Sequence, residues 1–366
     1  MTTLHYEVID PWLGMLWEHG GTDLQITAGS PPRLRINGRL LPIPDVAALD
    51  GEAIDKLIHT LLSAELLEAF TRDKDVDFAF SWQDRARIRG NAFMQRGDPA
   101  VALRMIPARI PTFEELGLPE VCSWLAHLPR GMVLVTGPTG SGKSTTLASI
   151  ISYINQVREV HVLTVEDPIE YVHHHGTAII NQREIGVDSD SFARALRSAL
   201  REDPDVLLVG EMRDLESIQI ALTMAETGHL VFATLHTNDA ATALDRIIDV
   251  FPAERRDQIR VQLAGSLAAV VAQRLVPRAD QGMIAVFEVL VGTNASRNLI
   301  REGKTNQLRN VMTTGQQDRM VTLETSLARL VHAGVVSYEA AMSVTVFPKD
   351  FARALGALQA AALPVR

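Results

Sequence analysis

Residues 137–144 have the amino-acid types and the spacing of a loop that binds phosphate groups. They read Gly-Pro-Thr-Gly-Ser-Gly-Lys-Ser, which matches the pattern G-x-x-x-x-G-K-[ST] at every defined position. Glycines let successive backbone N–H groups face an anion, and the helix predicted behind them adds unpaired donors. Lys143 can reach the β- and γ-phosphates, and the Ser144 hydroxyl can bind Mg²⁺. The sequence therefore predicts a site for a nucleoside triphosphate and Mg²⁺, formed by Gly137, Pro138, Thr139, Gly140, Ser141, Gly142, Lys143, Ser144 and Thr145.

An acidic residue follows a second strand-like run, residues 206–209. Glu211 comes directly after Gly210, at the predicted carboxyl end of this strand. There its carboxylate can hold Mg²⁺ through water or polarise an attacking water. A surface carboxylate at a strand end is the alternative interpretation. Asp205 stands at the opposite end of the same run and is interpreted as structural.

Residues 164–170 end another strand-like run with several carboxylates. The stretch reads Thr-Val-Glu-Asp-Pro-Ile-Glu, and its proline stops the strand. A buried strand rarely ends in several acids unless a cation is near. We favour Glu170 as the general base that activates water, and Glu166 remains the alternative. Helix capping or loop solvation is the non-catalytic interpretation of Glu166 and Asp167.

Two histidines flank the strand-like run 230–235. His229 and His236 are seven residues apart, so they lie near opposite ends of the predicted strand. Only His236 occupies the carboxyl end, where it can sense a γ-phosphate. His229 is interpreted as a partly buried, hydrogen-bonded side chain. A metal site at the tract 173–175 is not favoured, because three consecutive histidines point in different directions.

Arginines can supply the positive charge that phosphoryl transfer requires. Arg197 and Arg201 are four residues apart on a helix predicted at 189–202, so they should share one face. Further arginines cluster in the strand-like runs of the N-terminal part: Arg87, Arg89, Arg96 and Arg104. For Arg87 and Arg96 a solvated basic face is an equally good interpretation.

The elements that must position these residues alternate between strand and helix from about residue 118 to 292. This alternation predicts a parallel sheet covered by helices, with ligands at the carboxyl ends of the strands. The predicted strands are 132–136, 160–165, 206–209 and 230–235, and the predicted helices are 144–155, 189–202 and 214–227. A long helix at 253–274 and a strand at 284–290 follow, and residues 293–366 are predicted to be a mostly helical region.

Residues 1–106 are predicted to form a small α+β domain with a PAS-like arrangement of helices and antiparallel strands. The predicted helices are 11–18 and 50–72, and the predicted strands are 24–27, 76–82, 86–94 and 100–106. A hairpin at 33–43 is predicted to turn at Asn37-Gly38. Prolines punctuate residues 107–117, which are interpreted as a linker.

The composition of the chain limits the classes of partner, metal site and cellular location that are expected. The chain has 366 residues, a net charge of −9 and a pI near 5.7, which argues mildly against nucleic acid as its main partner. Its single cysteine, Cys122, excludes an internal disulfide and a zinc site of four cysteines. No signal peptide is expected at residues 1–7, and the apolar run 261–273 is too short to span a bilayer. A cytoplasmic protein without direct membrane insertion is therefore expected.

Taken together, these motifs resemble the secretion ATPase superfamily, and within it the type IV pilus retraction ATPases. The resemblance covers nearly the whole chain, and it is carried by the stretches 21–24, 28–32, 137–144, 164–170, 181–184, 196–213 and 227–239. In this family 164–170 corresponds to the acidic Asp box and 227–239 to the His box. These two motifs are far more specific than a phosphate loop alone.

The resemblance implies a hexameric ring that hydrolyses ATP with Mg²⁺ at subunit interfaces. Each site would join a RecA-like domain to the PAS-like domain of a neighbouring subunit. The implied roles are Glu170 as catalytic glutamate and Glu211 as Walker B acid. Arg89 and Arg104 would cross to the phosphates from the neighbour, and Arg197 and Arg201 would act within the nucleotide's own subunit.

The retraction group is favoured over the assembly and type II secretion ATPases, which usually carry a four-cysteine zinc insert. Retraction ATPases carry a late motif, Ala-Ile-Arg-Asn-Leu-Ile-Arg-Glu, and residues 295–302 match it except at Ser296. The implied partners are an inner-membrane pilus platform protein and a paralogous retraction ATPase, which would hold the ring at the inner face of the membrane. The alternatives are an accessory retraction ATPase, a type II or type IV secretion ATPase, a DNA translocase, and a scaffold that binds ATP but scarcely hydrolyses it.

Overall fold

A computed structural model describes residues 8–36, 38–83, 85–107 and 109–361. The chain divides into two compact units, Met1–Arg109 and Ile110–Arg366. Each unit has its own sheet and its own buried apolar core. Within the described ranges, no helix combines the length and the apolar character needed to cross a bilayer.

The first unit is built on a six-stranded antiparallel sheet in the order β3-β2-β1-β6-β5-β4. Its elements are α1 (Asp10–Glu18), β1 (Asp23–Thr27), β2 (Arg33–Ile36), β3 (Arg39–Pro42), α2 (Gly51–Leu61), α3 (Ala64–Asp73), β4 (Asp75–Trp82), β5 (Ala86–Gln95) and β6 (Asp98–Pro107). In β5 the side chains alternate between buried and partly exposed positions, as expected for a strand with one face on the core. Asn37, in the predicted hairpin turn, lies outside the described residues, as do residues 1–7.

The single helix predicted at 50–72 is wrong, because the structure has two helices there. Leu62 is in an extended conformation and only 3% exposed, so the chain leaves the helix while keeping this side chain in the core. The side chain of Ser63 then accepts a hydrogen bond from the backbone N–H of Leu66 and begins α3. The apolar pattern runs through both helices, which is why it predicted one.

The second unit is built on a seven-stranded sheet in the order β13-β12-β7-β11-β10-β8-β9. Its elements up to the last strand are α4 (Phe113–Leu116), α5 (Val121–Ala126), β7 (Gly131–Thr136), α6 (Lys143–Val157), β8 (His161–Glu166), β9 (Ile179–Glu184), α7 (Phe192–Ala199), β10 (Val206–Val209), α8 (Leu215–Thr227), β11 (Leu230–Leu235), α9 (Ala240–Asp249), α10 (Arg256–Ser266), β12 (Leu267–Pro277) and β13 (Met283–Val291). All neighbouring strands are parallel except β12 and β13, so the sheet is mixed rather than purely parallel.

The helix predicted at 253–274 is also wrong, because it ends at Ser266 and the chain continues as β12. Residues 267–273 are all buried, since β12 lies between β7 and β13 and is covered on both faces. A strand buried in this way has a continuous apolar sequence, which periodicity cannot distinguish from a buried helix. Strand β9 was not predicted, and α7 is shorter than the predicted helix 189–202.

The C-terminal part of the second unit is helical, as predicted. Its helices are α11 (Asn294–Arg301), α12 (Leu308–Thr314), α13 (Leu323–His332), α14 (Tyr338–Val344) and α15 (Pro348–Ala361). Helices α13–α15 form a small apolar cluster with the ends of β12 and β13, centred on Leu327 and Phe351. At the start of the second unit, α4 falls within the stretch 107–117 that was interpreted as a linker. Its residue Phe113 packs against the apolar core of this unit.

Candidate nucleotide-binding site

The predicted motifs of the second unit meet along one edge of its sheet. Strand β11 is paired in parallel with β7 on one side and with β10 on the other, and β8 follows β10. The residues that leave the carboxyl ends of these strands therefore lie side by side. They are the loop 137–142 after β7, Glu166 at the end of β8, Glu211 after β10 and His236 after β11.

The loop after β7 has the backbone conformation that its glycines predict. Gly137, Gly140 and Gly142 have φ angles of 151°, 78° and 87°, which other residues adopt only with strain. Two of them are also crowded: a Cβ atom on Gly137 would lie 2.3 Å from the carbonyl oxygen of Gln273, and one on Gly142 would lie 2.9 Å from its Nε2 atom. Close packing and backbone angle thus both require glycine here.

Lys143 begins α6 and is only 8% exposed. Its Nζ atom donates hydrogen bonds to the carbonyl oxygens of Gly137, at 2.8 Å, and Pro138, at 3.1 Å. Burial lowers the pKa of Lys143, and the charge of Glu211 partly opposes that shift. The ammonium group is thus held inside the loop, next to the first turn of a helix.

His236 connects this lysine to the acid after β10. Its Nδ1 atom lies 3.5 Å from Nζ of Lys143, and its Nε2 atom lies 3.2 Å from Oε1 of Glu211. The same carboxylate oxygen is 2.5 Å from Nε of Arg213. Burial alone would raise the pKa of Glu211, but Arg213 and His236 outweigh it, so the pKa is lowered. Glu211 is therefore held as a carboxylate.

The two glutamates of the Asp box have different surroundings. Glu166 is buried, and its Oε1 atom accepts hydrogen bonds from Thr164, at 2.7 Å, and from Gln182, at 3.1 Å. Burial raises its pKa more than these hydrogen bonds lower it. Glu170 is only partly buried, and its backbone N–H lies 3.5 Å from Oε2 of Glu166. Glu166 is thus held in place by neighbours on both sides.

Sequence reasoning missed Gln182, which fixes the turn after Glu166. Its Nε2 atom also donates to the carbonyl oxygen of Tyr171 at 2.8 Å, and its Oε1 atom accepts from the backbone N–H of His173 at 2.7 Å. The hydroxyl of Tyr171 is in turn 3.0 Å from that of Thr145 in α6. Gln182 lies on β9, the unpredicted strand, so only the family motif at 181–184 pointed to it.

A second missed residue, Gln273 on β12, supports the phosphate loop itself. Its Nε2 atom donates to the carbonyl oxygen of Ser141 at 2.7 Å, and its Oε1 atom accepts from the hydroxyl of Thr146 at 2.7 Å. The signal in the sequence is one amide side chain inside the long apolar run 267–276. Because a helix was predicted at these residues, Gln273 was not recognised as part of the site.

The arginine predictions have mixed outcomes. Arg197 lies on α7 and forms an ion pair with Glu216 in the first turn of α8. Arg201 is exposed and lies beyond Ala199, where α7 ends, so the argument that the two arginines share a helix face is wrong. After Ala199 the chain turns, with Asp203 at a φ of 51°, and enters β10 at Val206.

Arg89 and Arg104 are directly opposite each other on strands β5 and β6 of the first unit. Nε of Arg104 donates to Oδ1 of Asp23 at 2.9 Å, and Nε of Arg35 lies 3.4 Å from the other oxygen of this buried carboxylate. Asp23 therefore orients Arg104. The part that Arg89 and Arg104 take in nucleotide chemistry stays a prediction.

The remaining predicted positions lie apart from the phosphate loop. His229 precedes β11 at the opposite edge of the sheet, and its Nδ1 atom is 3.0 Å from the carbonyl oxygen of Met224. Asp205 accepts a hydrogen bond from the backbone N–H of His161 at 2.8 Å, which is a structural role. Among the described residues, no three His, Cys, Asp or Glu side chains are grouped to hold a metal ion, and Nδ1 of His175 accepts from the backbone N–H of Ile180.

The residues of this site fit a nucleoside triphosphate with Mg²⁺. The loop offers backbone N–H groups, the N-terminus of α6 and a buried ammonium group, which are the donors that bind phosphate. The Oγ atom of Ser141 is buried in this loop and has no hydrogen-bond partner among the described residues. Ser144 and Glu211 carry the oxygen ligands that Mg²⁺ prefers.

The second unit has a mixed sheet covered by helices, with a phosphate loop after β7 and an acid after β10, two strands away in the sheet. This arrangement defines a P-loop nucleoside triphosphatase. A family model described as "Type II/IV secretion system protein" matches residues 99–336. The chain therefore belongs to the type II/IV secretion system proteins, and within them to the group of pilus retraction ATPases, as the following similarities show.

The chain is 46% identical to the type IV pilus retraction ATPase PilT of Pseudomonas aeruginosa, over 91% of this chain and 97% of that protein. It is 42% identical to the type IV pilus ATPase PilU of the same organism, over 90% of this chain and 87% of that protein. A crystal structure of the pilus retraction motor PilT with bound ADP superimposes with a TM-score of 0.89 and 45% identity, covering 94% of this chain and 99% of that one.

Proposed function

We propose that this chain is the subunit of a hexameric motor that hydrolyses ATP to retract type IV pili. The observation that carries the proposal is the position of His236, which contacts both the phosphate-loop lysine and the acid after β10. A histidine so placed is near the groups that would surround a γ-phosphate, and it can respond to the presence of that phosphate. Similarity to PilT over almost its whole length supports pilus retraction as the work performed.

The residues of the loop would bind and orient the triphosphate of ATP. Backbone N–H groups of 139–145 would surround the phosphates, and Lys143 would pair with the β- and γ-phosphates. Mg²⁺, held by Ser144 and by Glu211 through water, would neutralise the charge that develops on the phosphates. When ATP binds, Lys143 would exchange its two carbonyl acceptors for phosphate oxygens. Its ammonium group would therefore have hydrogen-bond acceptors both with and without the nucleotide.

Glu170 is the better candidate for the base that accepts the proton of the attacking water. Glu166 is buried, and its Oε1 atom already accepts hydrogen bonds from Thr164 and Gln182, so this carboxyl group is engaged in holding the turn. Glu170 is partly exposed on the same turn. We therefore assign Glu166 the role of positioning the turn and Glu170 the transfer of the proton.

The remaining charge would come from arginines, by the roles that the family resemblance implies. Arg197 and Arg201 would act in the subunit that binds the nucleotide, and Arg89 and Arg104 would reach in from a neighbouring subunit. Loss of the γ-phosphate would weaken this bridge between subunits and let the N-terminal unit move. In a ring, repeated movement of this kind produces mechanical work.

The proposed partners are other copies of this chain, an inner-membrane pilus platform protein and a paralogous retraction ATPase. The ring would lie in the cytoplasm against the inner face of the membrane, held there by the pilus machine. The acidic composition does not favour nucleic acid as a partner. Similarity to PilU makes an accessory retraction ATPase the second candidate, and retraction in the absence of any paralogue would decide against it.

The first test is steady-state ATP hydrolysis by the purified full chain and by Lys143→Ala. The wild type should hydrolyse ATP with Mg²⁺, and the variant should lose at least about a hundredfold in kcat/KM, since the phosphates lose their buried cation. Lys349→Ala removes an exposed lysine and serves as the matched control, with unchanged turnover. Equal activity of Lys143→Ala and wild type would refute the site, and a wild type that binds ATP without turnover would indicate the scaffold instead.

A further inference from the structure

Strand β12 continues beyond the end of β7 and reaches the phosphate loop. The pairing of the two strands ends with Ala272 opposite Thr136, the last residue of β7. The next residue on β12, Gln273, is therefore beside Gly137, where the loop begins. The contact is so close that a Cβ atom on Gly137 would lie 2.3 Å from the Gln273 carbonyl oxygen.

The side chain of Gln273 is 2% exposed, and both ends of its amide are used. A carbonyl oxygen can only accept, so the group facing Ser141 O at 2.7 Å must be the amide N–H₂. The amide oxygen then faces Thr146 and accepts its hydroxyl proton at 2.7 Å. Gln273 thus connects the loop to the first turns of α6 through one rigid group.

We propose that Gln273 is a positioning residue for the phosphate loop, in addition to packing the sheet. A peptide group is planar and trans, so its C=O and the N–H of the following residue point in opposite directions. By holding the carbonyl of Ser141 toward β12, Gln273 turns the N–H of Gly142 away from the sheet. That N–H belongs to the set of donors that the proposed function requires to face the phosphates. The inference therefore rests on the proposed function, since a loop without a phosphate ligand has no use for this orientation.

The orientation matters because the loop is rich in glycine and would otherwise occupy many conformations. Glycine loses more conformational freedom on ordering than other residues do. A loop that is already ordered by Gln273 binds phosphate without that additional entropic cost. Loss of the two hydrogen bonds should therefore weaken ATP binding more than it slows the chemical step.

The test compares Gln273→Met with wild type in the full-length protein. Methionine keeps the length and volume of the side chain but removes its donor and its acceptor. We expect the KM for ATP and the Kd for ADP to rise about tenfold, while kcat at saturating ATP changes by less than about twofold. Gln262→Met is the matched control. Gln262 lies on α10 and donates a hydrogen bond to Glu226 on α8, so this variant should leave the KM for ATP and the Kd for ADP unchanged.

Thr146→Val provides an independent route to the same result. It removes only the hydroxyl partner of the Gln273 oxygen, and it should raise the KM in the same direction by a smaller factor. The effects of Gln273→Met and Thr146→Val should not add in the double variant, since both act on one hydrogen-bonded group. If Gln273→Met fails to fold, Thr146→Val alone decides, and an unchanged KM there overturns the proposal.

The outcomes separate this inference from the proposed function. A wild-type protein that neither binds nor hydrolyses ATP refutes both. A wild type that is active, beside a folded Gln273→Met with the same KM and Kd, refutes only the positioning role. A variant with lower thermal stability but an unchanged KM indicates a residue that packs the sheet and nothing more, which also overturns the proposal.

Discussion

At the scale of single residues, the two ring nitrogens of His236 face groups of opposite charge. Nδ1 is 3.5 Å from the ammonium group of Lys143, which can only donate, and Nε2 is 3.2 Å from a carboxylate oxygen of Glu211, which can only accept. Nδ1 can accept from the ammonium group while Nε2 donates to the carboxylate, so one imidazole can serve both partners. His236 thereby connects the lysine proposed to bind phosphate to the acid proposed to bind magnesium or water, and a phosphate that attracted Lys143 away would change both contacts.

The pH dependence of stability tests the surroundings of His173, which lies shortly after the Asp box. Burial lowers the pKa of His173 to about 4 from its usual 6.5, and His174 adds to the shift. The unfolded chain therefore binds more protons than the folded one between these values, so stability falls as the pH drops from about 6.5 toward 4. His173→Gln removes this difference, and its melting temperature should fall less than that of the wild type between about pH 7 and about pH 5.

The control for that test is His127→Gln, because His127 is exposed at the end of α5. It should show the same pH dependence as the wild type. An equally steep fall of the melting temperature in His173→Gln and wild type would mean that His173 does not carry this proton linkage.

At the scale of elements, the sequence predicted strands β7, β8, β10 and β11 and helices α6 and α8 of the candidate nucleotide site because their signals are local. Residues 132–136 and 206–209 are short apolar runs followed by glycine, and each is a strand of the sheet. Strand β12 could not be predicted in the same way, since its register and its contact with the loop depend on β7 and β13. Gln273 was missed for that reason, whereas Glu166, Glu211 and His236 were found because each lies at the carboxyl end of its strand or within two residues after it.

Helix α8 follows Glu211 after a short turn, and its N-cap should contribute to stability. The two carboxylate oxygens of Asp214 accept hydrogen bonds from the backbone N–H of Ser217, at 2.9 Å, and from its hydroxyl, at 2.7 Å. Asp214→Ala should lower the free energy of unfolding by about 1 kcal/mol, and Asp214→Asn should recover most of that loss. Urea denaturation would measure both, and equal stability of Asp214→Ala and wild type would show that the cap contributes nothing.

At the scale of the whole molecule, β12 also links the nucleotide edge to the C-terminal helices. Arg274, the neighbour of Gln273, donates to the carbonyl oxygen of Asn238 in the His box, at 3.3 Å, and to that of Val344 at the end of α14, at 3.1 Å. Consecutive residues of one strand thus contact the phosphate loop on one face and the C-terminal helices on the other. The sequence predicted these helices but not this connection, because a strand between them was not foreseen.

Glu324, on α13, links α12 to the segment between α14 and α15. It is 1% exposed, and its oxygens accept from Arg309, at 3.0 Å, and from the backbone N–H of Phe347, at 3.1 Å. Arg309→Met leaves this buried carboxylate without its cation, so the free energy of unfolding should fall by about 3–5 kcal/mol. Adding Glu324→Gln to Arg309→Met should restore part of the loss, and urea denaturation that shows the double variant as the less stable protein would contradict this account.

The most direct test of the central claim is the retraction of pili in the organism that encodes this chain. Deletion of the gene should leave cells with more surface pili than the wild type and without twitching motility. The wild-type gene should restore retraction, whereas the gene with Lys143→Ala should not, although that strain still assembles pili. Loss of surface pili in the deletion strain, or full motility with Lys143→Ala, would contradict an ATP-driven retraction motor.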